Sequence, residues 1–307
     1  MNNKWLSVKH CPLCECIKYE NHGTISVDYR FGDETIELPK EGVSIYKCTQ
    51  CNLFYKDTVP SPHFLSEVFT RNAGIVWQDD YDFYNEKLFI LKLANYKSID
   101  LLDIGPSSGN LLQALNEVGG RRSGLDIIAH PGITESINGE FINALIEDKN
   151  INWSEKPYDI ITLFDVFEHF YDPNTAFINL REMIKKDGYI VLETGNAESK
   201  WPLKYGANNW WYSQLFEHHI FWSHQSLSYA AKKHNFEIIH FKQKPHKLIP
   251  LRPIKTKIKN FLLANIYMCS SKLYEKIGSI IGRQLTQPVK SEKDHIFTIL
   301  KKIPNNV

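Results

Sequence analysis

Four cysteines near the start of the chain form two pairs with the spacing of metal ligands. Cys11-Pro-Leu-Cys14 and Cys48-Thr-Gln-Cys51 each hold two thiols separated by two residues. A tight turn with this spacing aims both sulfurs at one point, and two such turns supply the tetrahedral all-sulfur site that Zn²⁺ favours. We therefore predict that Cys11, Cys14, Cys48 and Cys51 bind a structural zinc ion, with no coordination position left open for catalysis.

The alternative function of these pairs is a redox centre, which we disfavour because neither pair opens a helix in a strand–helix–strand context. We expect Cys16 to be a bystander, with competition against Cys14 for the ligand position as the alternative, whereas Cys269, in an amphipathic stretch, suits packing. The segment between the pairs contains Thr24–Arg30 and Glu34–Leu38, separated by a glycine-bearing turn. This pattern predicts a β-hairpin inserted between the two cysteine turns.

A second group of residues has the arrangement of a cofactor-binding turn. Ser98–Ile104 is a short apolar run that ends in Gly105-Pro-Ser-Ser-Gly109, and a helical pattern, Asn110–Val118, follows directly. A glycine-bearing turn between a strand and a helix lets backbone amides approach a ligand closely. The next predicted strand, Arg122–Ile127, carries Asp126 near its end, where a carboxylate is placed to bind ribose hydroxyls.

Three features separate this pattern from a dinucleotide site. Asp103 lies inside the strand, two residues before the first glycine. The turn lacks the GxGxxG spacing that accommodates a pyrophosphate. A later predicted strand ends in Asp165-Val-Phe-Glu-His169, an acid followed by a Glu-His pair. Together these features favour S-adenosylmethionine over NAD as the ligand.

These motifs resemble those of class I S-adenosylmethionine-dependent methyltransferases, over roughly residues 78–245. Asp103–Gly109 is similar to motif I of that family, Asp126 to its post-I acid and Asp165–His169 to its motif IV. Asp187–Glu193 resembles the glycine-led strand that follows. Glu217–Leu227 resembles a segment of a bacterial subgroup that includes enzymes acting on sugars and surface glycans, some of them with an N-terminal zinc module.

The resemblance implies a cofactor-binding role for each matching residue, namely Asp103, Gly105, Ser107, Gly109, Asp126, Asn143, Ala144 and Asp165. The turn residues would surround the methionine end, and Asp126 would hold the ribose. Asn143 and Ala144 would flank the adenine, and Asp165 would line the floor beside the sulfonium. Ser107 replaces the middle glycine of the motif, and Asn143 stands where the family often has aspartate.

Methyl transfer to a hydroxyl or a carbon acid is helped by a general base, and histidine suits that role near neutral pH. Glu217-His218 matches a Glu-His pair that sugar C-methyltransferases of the resembling subgroup use for base chemistry. We therefore predict His218 as the base, oriented by Glu217, with His169 and His219 as further candidates. The alternative is that these histidines only form hydrogen bonds inside the core.

The aromatic segment Trp201–Tyr212 also has two interpretations. Its tryptophans and tyrosines suit a wall on which a sugar stacks, and they suit core packing equally well. The predicted function is methyl transfer to a hydroxyl, or secondarily a carbon, of a sugar or surface-glycan precursor. The alternatives are an RNA or protein methyltransferase that uses the zinc module for recognition, and a non-catalytic S-adenosylmethionine-binding scaffold.

The elements that position these residues predict an α/β fold with a Rossmann-like, seven-stranded, mostly parallel sheet. A zinc ribbon-like module would occupy residues 1–60 and a helical connector residues 61–97. The methyltransferase domain would comprise residues 98–245 and 291–307, with its last two strands, Asn235–Phe241 and Asp294–Leu300, paired as a hairpin. A helical insertion would occupy residues 246–290.

Residues 254–283 of that insertion combine apolar side chains at helical spacing with interleaved lysines and arginine. The first interpretation is a helical pair that packs on the domain or forms a dimer. The second is a basic amphipathic helix that contacts an anionic membrane peripherally. We favour the first interpretation.

Composition limits the partners. The 307 residues carry a formal net charge of +1, which gives no overall reason to expect a polyanionic partner, and the first sixty residues are rich in Asp and Glu, which argues against nucleic acid. The first residues lack the apolar run of a secretory signal, and no stretch has the roughly 20 apolar residues of a spanning helix. We expect a cytoplasmic enzyme, with peripheral contact to the inner face of the membrane under the second interpretation of residues 254–283.

Overall fold

The computed structural model describes residues 3–76, 83–95, 97–117, 119–246 and 293–304. The first part of the chain contains short strands, which are β1 (Trp5–Ser7), β2 (Tyr19–Ile25), β3 (Tyr29–Phe31), β4 (Glu34–Ile36), β5 (Val43–Cys48), β6 (Phe54–Lys56) and β7 (Thr58–Pro60). Two helices follow, α1 (Pro62–Val76) and α2 (Tyr84–Leu93). They lie within the predicted helical connector.

The remaining elements alternate between strands and helices. They are β8 (Leu101–Ile104), α3 (Asn110–Ala114), β9 (Arg122–Asp126), α4 (Ile133–Ser136), β10 (Phe141–Asn143), β11 (Tyr158–Phe164), α5 (Pro173–Met183), β12 (Ile184–Gly195), α6 (Lys200–Tyr205), a 3₁₀ turn (Ala207–Asn209), β13 (Ile220–Phe221), α7 (His224–Lys233), β14 (Phe236–Lys244) and β15 (His295–Lys302). Helix α3 is shorter than the predicted Asn110–Val118, because the backbone leaves helical geometry at Leu115.

Among the described residues, seven strands form one mixed sheet in the order β10-β9-β8-β11-β12-β15-β14. The strands from β10 to β12 are parallel, and β15 runs antiparallel to both of its neighbours. The predicted Rossmann-like sheet and its final hairpin of β14 and β15 are therefore confirmed. Strand β8 is buried along its whole length, as expected for a parallel strand covered on both faces.

Two helices of the large domain, α5 and α7, begin with strong caps. The carboxylate of Asp172 accepts hydrogen bonds from the backbone amides of Asn174 and Thr175, and Pro173 occupies the first turn of α5. Ser223 and Ser226 form a reciprocal capping box at the start of α7. Such caps satisfy amides that a helix leaves unpaired at its N-terminus, so both helices begin at defined positions beside the sheet.

The N-terminal strands pair differently from the single hairpin predicted there. Strands β3 and β4 form a short hairpin around the glycine-bearing turn. The predicted hairpin is therefore confirmed for the residues next to that turn. Thr24 and Ile25, however, belong to β2, which pairs with β5. The Thr24 hydroxyl lies 3.0 Å from that of Ser44, so a cross-strand contact to a distant strand replaces the predicted local one.

The N-terminal strands and the large domain are joined through a shared sheet. Strand β13, from the large domain, pairs with β6, and the sheet continues through β5 to β2. Side-chain contacts reinforce the junction, since the Lys233 ammonium donates to the Leu13 carbonyl at 2.7 Å and the Asn174 amide to that of Pro12 at 2.9 Å. The boundary at residue 60 stays a prediction.

The predicted helical insertion, residues 246–290, lies outside the described residues except for His246, and so does its proposed membrane-facing stretch. Within the described part of the chain, no helix is both long enough and apolar enough to cross a membrane.

Candidate active site

The four predicted zinc ligands converge. The sulfurs of Cys11 and Cys51 lie 3.4 Å apart and those of Cys14 and Cys48 lie 3.3 Å apart, and all four lie within 4.8 Å of one another. A tetrahedral Zn–S distance of about 2.3 Å places sulfurs about 3.8 Å apart, so the donor set fits Zn²⁺. Cys16 is separate, because its sulfur contacts the backbone of Lys18.

The motif-like turn after β8 opens onto a cavity of about 250 Å³. Gly105, Ser107 and Gly109 all adopt left-handed backbone angles, with φ of 70°, 50° and 84°. A Cβ on Gly105 would lie 2.3 Å from Cγ2 of Val166, so only glycine fits there. A left-handed angle favours glycine, which explains the glycine in the family pattern at this position. In this chain Ser107 adopts the same angle.

Replacing Gly105 with alanine is expected to weaken S-adenosylhomocysteine binding at least about 10-fold, because the added methyl group would strain the backbone and displace Val166, which lines the cavity. Calorimetric titration of the variant measures this loss. Gly132→Ala is the matched control, since a Cβ there has its nearest neighbour at 3.7 Å, an atom of His130. Equal affinity of the Gly105 variant and wild type would contradict the assigned role of the turn.

The predicted ribose-binding acid lines the cavity. Burial raises the pKa of Asp126 to about 6, and its carboxylate accepts a weak hydrogen bond of 3.4 Å from the Ile128 amide. Hydroxyl donors of a ribose would supply further partners for this half-buried carboxylate. The position therefore suits the role that the family resemblance implies for Asp126.

The two residues predicted beside the adenine differ in placement. Ala144 lines the cavity. Asn143 is exposed, and its amide donates to the carbonyls of Asp126 and Ile127 at 3.1 and 2.8 Å, which holds the ends of two strands together. Sequence reasoning missed the neighbouring lining residues Leu145, Ile146 and Glu147, although they follow Ala144 directly in the chain.

Asp103 is buried in β8 behind the turn. Its carboxylate accepts a hydrogen bond of 2.6 Å from the Thr162 hydroxyl on the adjacent strand β11, and it is not among the residues that line the cavity. This geometry suits a role in organising the turn rather than direct contact with the methionine moiety. Asp165, by contrast, lines the cavity at the end of β11, with a left-handed φ of 55°.

The catalytic candidates lie at different depths. His169 and Glu217 line the cavity, whereas His218 is 4% exposed and lies behind His169, with 5.0 Å between the ring centroids. His219 is also buried and packs against the Tyr171 ring at 4.3 Å. The structure therefore brings His169 and Glu217 to the cavity and leaves both other histidines in the core.

Burial lowers the pKa of His169 to about 4 and raises that of Glu217. His169 is accordingly a neutral imidazole at physiological pH, and its Nε2 has no hydrogen-bond partner among the described residues. The imidazole itself lines the cavity, and a neutral imidazole can accept a proton. His169 thus has both the position and the protonation state of a general base.

Glu168 connects the two histidines and was not predicted from the sequence. Its Oε1 lies 3.7 Å from Nε2 of both His169 and His218. The same oxygen accepts a short hydrogen bond from the Tyr212 hydroxyl, and Oε2 accepts one of 2.8 Å from Thr194. Glu168 is fully buried, so it packs against both histidines without lining the cavity.

Glu168→Gln is expected to change how stability depends on pH. Burial raises the pKa of Glu168 from the ordinary 4.5 to about 8, so between these values the folded protein holds a proton that the unfolded chain releases. Wild-type stability therefore falls as pH rises through this window, by up to about 1.4 kcal/mol for each pH unit. Glutamine removes this contribution. Calorimetry should show the Tm of the variant rising relative to wild type from about pH 5 to about pH 8, and an offset independent of pH would contradict the argument.

The aromatic segment Trp201–Tyr212 belongs to the core. Trp201, Trp210 and Tyr212 are at most 6% exposed, and the indoles of Trp210 and Trp211 both donate to the Asp294 carboxylate, at 3.2 and 2.6 Å. The prediction of a sugar-stacking wall is therefore wrong for the three buried residues, and core packing explains them.

Other aromatic and apolar side chains line the outer part of the cavity. They are Phe31, Leu65, Phe69, Phe170 and Tyr171. The first comes from strand β3 and the next two from α1, so the region before the large domain forms one wall of the site. The rings of Phe31 and Phe69 pack edge to face, with 4.7 Å between centroids. This wall was not predicted from the sequence.

Comparison with known proteins agrees with this geometry. Residues 79–241, more than half of the chain, match a family described as a methyltransferase domain. The ubiquinone biosynthesis O-methyltransferase of Haemophilus ducreyi is 24% identical over 110 residues, which cover 33% of this chain and 47% of that protein. Its counterpart from Hydrogenovibrio crunogenus is 26% identical over 121 residues, covering 36% and 49%. The chain spans about half the length of these curated relatives.

A solved structure shows the same fold. The 1,6-didemethyltoxoflavin-N1-methyltransferase of Burkholderia thailandensis, with bound 1,6-didemethyltoxoflavin and S-adenosylhomocysteine, superposes with a TM-score of 0.50 at 10% identity. The alignment covers 85% of this chain and 96% of that one. At this identity the likeness concerns the fold alone.

Proposed function

This chain belongs to the methyltransferase-domain family and contains an S-adenosylmethionine-dependent methyltransferase domain, and we propose that it methylates a hydroxyl of a sugar or surface-glycan precursor. One observation carries the proposal. A single cavity joins the glycine turn and Asp126 to a neutral imidazole, His169, and to an aromatic wall. The cavity thus combines a cofactor end with an end suited to a ring-shaped acceptor.

The bound S-adenosylmethionine supplies an electrophilic methyl group on a sulfonium. In the proposed reaction the acceptor oxygen would form a bond to the methyl carbon as the sulfur–carbon bond breaks, and a ring nitrogen of His169 would take the hydroxyl proton. Much of the acceleration of such a transfer comes from alignment and exclusion of water. The turn residues and Asp126 would hold the donor, and the wall containing Phe31 and Phe69 would hold the acceptor ring.

The proposal assigns the base differently from the sequence-based hypothesis. His218 was favoured there because of its Glu-His pair, but it lies behind His169. Glu217 does line the cavity, and burial raises its pKa. We propose that Glu217 holds the acceptor through a hydrogen bond. Transfer to carbon remains the secondary form of the proposal.

A phenolic acceptor is the second candidate, favoured by the apolar side chains of the wall. Aromatic side chains stack on the flat face of a phenol and on the apolar face of a sugar. The relatives are named for O-methylation in ubiquinone biosynthesis, which gives this candidate independent support. The two acceptor classes differ in the number of hydroxyls that His169 and Glu217, the polar residues assigned to the acceptor, must bind.

A panel of acceptors tests the proposal. Transfer of labelled methyl from S-adenosylmethionine would be measured with nucleotide sugars, catechol-type phenols, RNA and protein as acceptors. We expect labelled sugar, and we expect Phe69→Ala to raise KM for it about 10-fold or more while S-adenosylhomocysteine affinity stays the same. His63→Ala, an exposed residue on the same helix, is the control. Label in phenols alone would establish the second candidate, and label in RNA or protein alone would overturn the acceptor class.

We also propose that the cysteine cluster binds zinc. Support comes from the convergence of four sulfurs from two turns. The hydrogen bond between Cys11 and Cys51 also lowers the pKa of Cys11 to about 6, while it raises the pKa of Cys51. A thiolate is the form that coordinates metal. Cys11, Cys48 and Cys51 are buried in the same core cluster as Ile220 and Trp222 of the large domain, so the ion would stabilise the junction beside the cavity.

A further inference from the structure

Two buried histidines stand beside Asp165, the acid at the cavity floor. Asp165 follows the parallel strand β11, His246 lies two residues beyond the end of β14, and His295 opens the antiparallel strand β15. Because β15 runs against its neighbours, its first residue reaches the edge where the parallel strands end. Ligand-binding residues of open α/β sheets gather at this edge.

The three side chains place one ligand atom each around a common point. Oδ1 of Asp165 lies 3.3 Å from Nε2 of His295, and Oδ2 lies 3.6 Å from Nε2 of His246. The two imidazole centroids are 4.4 Å apart, and the ligand atoms lie within 4.8 Å of one another. Ligands about 2.1 Å from a tetrahedral metal ion are about 3.4 Å apart, so the spacing matches.

Burial gives a second, independent reason to expect an ion. His295 is 0% exposed, and neither of its ring nitrogens forms a hydrogen bond with any other residue that the structure describes. Buried polar nitrogens in this state are costly unless a ligand satisfies them. The nearby cation Lys244 is already neutralised, since its ammonium lies 2.6 Å from Glu193 and 3.7 Å from Glu86. It therefore presents little obstacle to a second cation.

We propose that Asp165, His246 and His295 bind a divalent transition-metal ion. Two imidazoles and one carboxylate form a ligand set that holds such ions while leaving coordination positions free. Asp165 also lines the cavity, so the free positions would be open to a hydroxyl of the acceptor. This site is separate from the cysteine cluster in both residues and ligand chemistry.

The role of the ion rests on the proposed methyl transfer, although its binding does not. A divalent ion lowers the pKa of a coordinated oxygen by several units. This effect would compensate for the weak basicity of His169, whose pKa burial lowers to about 4. The ion would bind the acceptor oxygen, and His169 would take the proton that the coordinated hydroxyl releases.

Titration of the zinc-loaded full chain with Mn²⁺, followed by electron paramagnetic resonance, tests the site. Mn²⁺ suits nitrogen and oxygen ligands and not thiolates, so the cysteine cluster does not compete. We expect one Mn²⁺ per chain for wild type, and at least about 10-fold weaker binding for His295→Ala and His246→Ala. His240→Ala, which removes an exposed histidine from the neighbouring strand β14, should bind as wild type does.

Two variants are needed because His295 lies in the core and its replacement could unfold the chain. His246 lies beyond the end of its strand, so His246→Ala tests the site at smaller structural cost, and S-adenosylhomocysteine binding verifies the fold of each variant. Absence of Mn²⁺ binding by wild type up to millimolar concentration would overturn the proposal. Equal binding by wild type and His246→Ala would overturn it too. Neither result would bear on methyl transfer itself, which is measured separately.

Discussion

Replacing His169 with alanine is expected to lower kcat for methyl transfer by about 10²- to 10⁴-fold, the usual contribution of a general base. The affinity for S-adenosylhomocysteine should change little, because the glycine turn and Asp126 remain. The expectation rests on the position of His169 at the cavity and on its neutral imidazole. Single-turnover kinetics with labelled S-adenosylmethionine would measure the chemical step directly.

His218→Ala is the informative comparison. His218 is buried behind His169 and shares contact with Glu168, so its loss would disturb the position of His169 without removing the base. We expect His218→Ala to reduce kcat by about 10-fold or less. A separate variant, His169→Gln, should be as slow as His169→Ala. A larger loss in His218→Ala than in His169→Ala would return the base assignment to His218.

The pH profile provides a further check on His169. Its pKa in the folded protein is lowered from 6.5 to about 4, so the neutral form persists down to about pH 5 and is lost as pH falls through about 4. The rate constant of the chemical step should therefore show no inflection near pH 6.5, where an exposed histidine would titrate. An inflection there that His169→Ala abolishes would contradict the buried environment.

Cys48→Ser is expected to release the zinc ion and to lower Tm by about 10 °C. A structural site contributes directly to folding free energy, and a loss on the order of 4 kcal/mol corresponds to such a shift in a chain of this size. Cys48 is the last residue of β5, which pairs with β6, and β6 pairs with β13 of the large domain. Loss of the ion should therefore also weaken the wall of the cavity.

Cys16→Ser is the matched control, because Cys16 has the same chemistry and lies outside the cluster. Elemental analysis should find one zinc per chain in wild type and in Cys16→Ser, and less than one in Cys48→Ser. Zinc content that is unchanged in Cys48→Ser, or a Tm lowered equally by both substitutions, would contradict the proposed site.

The sheet could be predicted because its signals are local. Buried parallel strands such as β8 and β11 appear as continuous apolar runs, and the turn from Gly105 to Gly109 requires left-handed angles that glycine supplies. The cysteine turns were predictable for the same reason, since each pair fixes its own geometry. In these cases neighbouring residues contain all of the relevant information.

The acceptor side of the cavity could not be predicted, because it depends on contacts between distant segments. Phe31 and Phe69 reach the cavity only after the N-terminal strands join the large domain through β6 and β13. Glu217 and His218 are adjacent in sequence, and only their packing decides which one faces the cavity. His246 and His295 meet Asp165 because β15 runs antiparallel, which no local pattern reveals.

The most direct test of the central claim follows labelled methyl from S-adenosylmethionine into an extract of the source cells. Purified wild-type protein and His169→Ala would be compared in fractions of nucleotide sugars, lipid-linked glycan, phenolic compounds, RNA and protein. We predict label in a carbohydrate fraction with wild type and at least about 100-fold slower labelling with His169→Ala. Label in no fraction, despite measured binding of S-adenosylmethionine, would contradict the claim that this cavity transfers methyl groups and would favour a scaffold that only binds the cofactor.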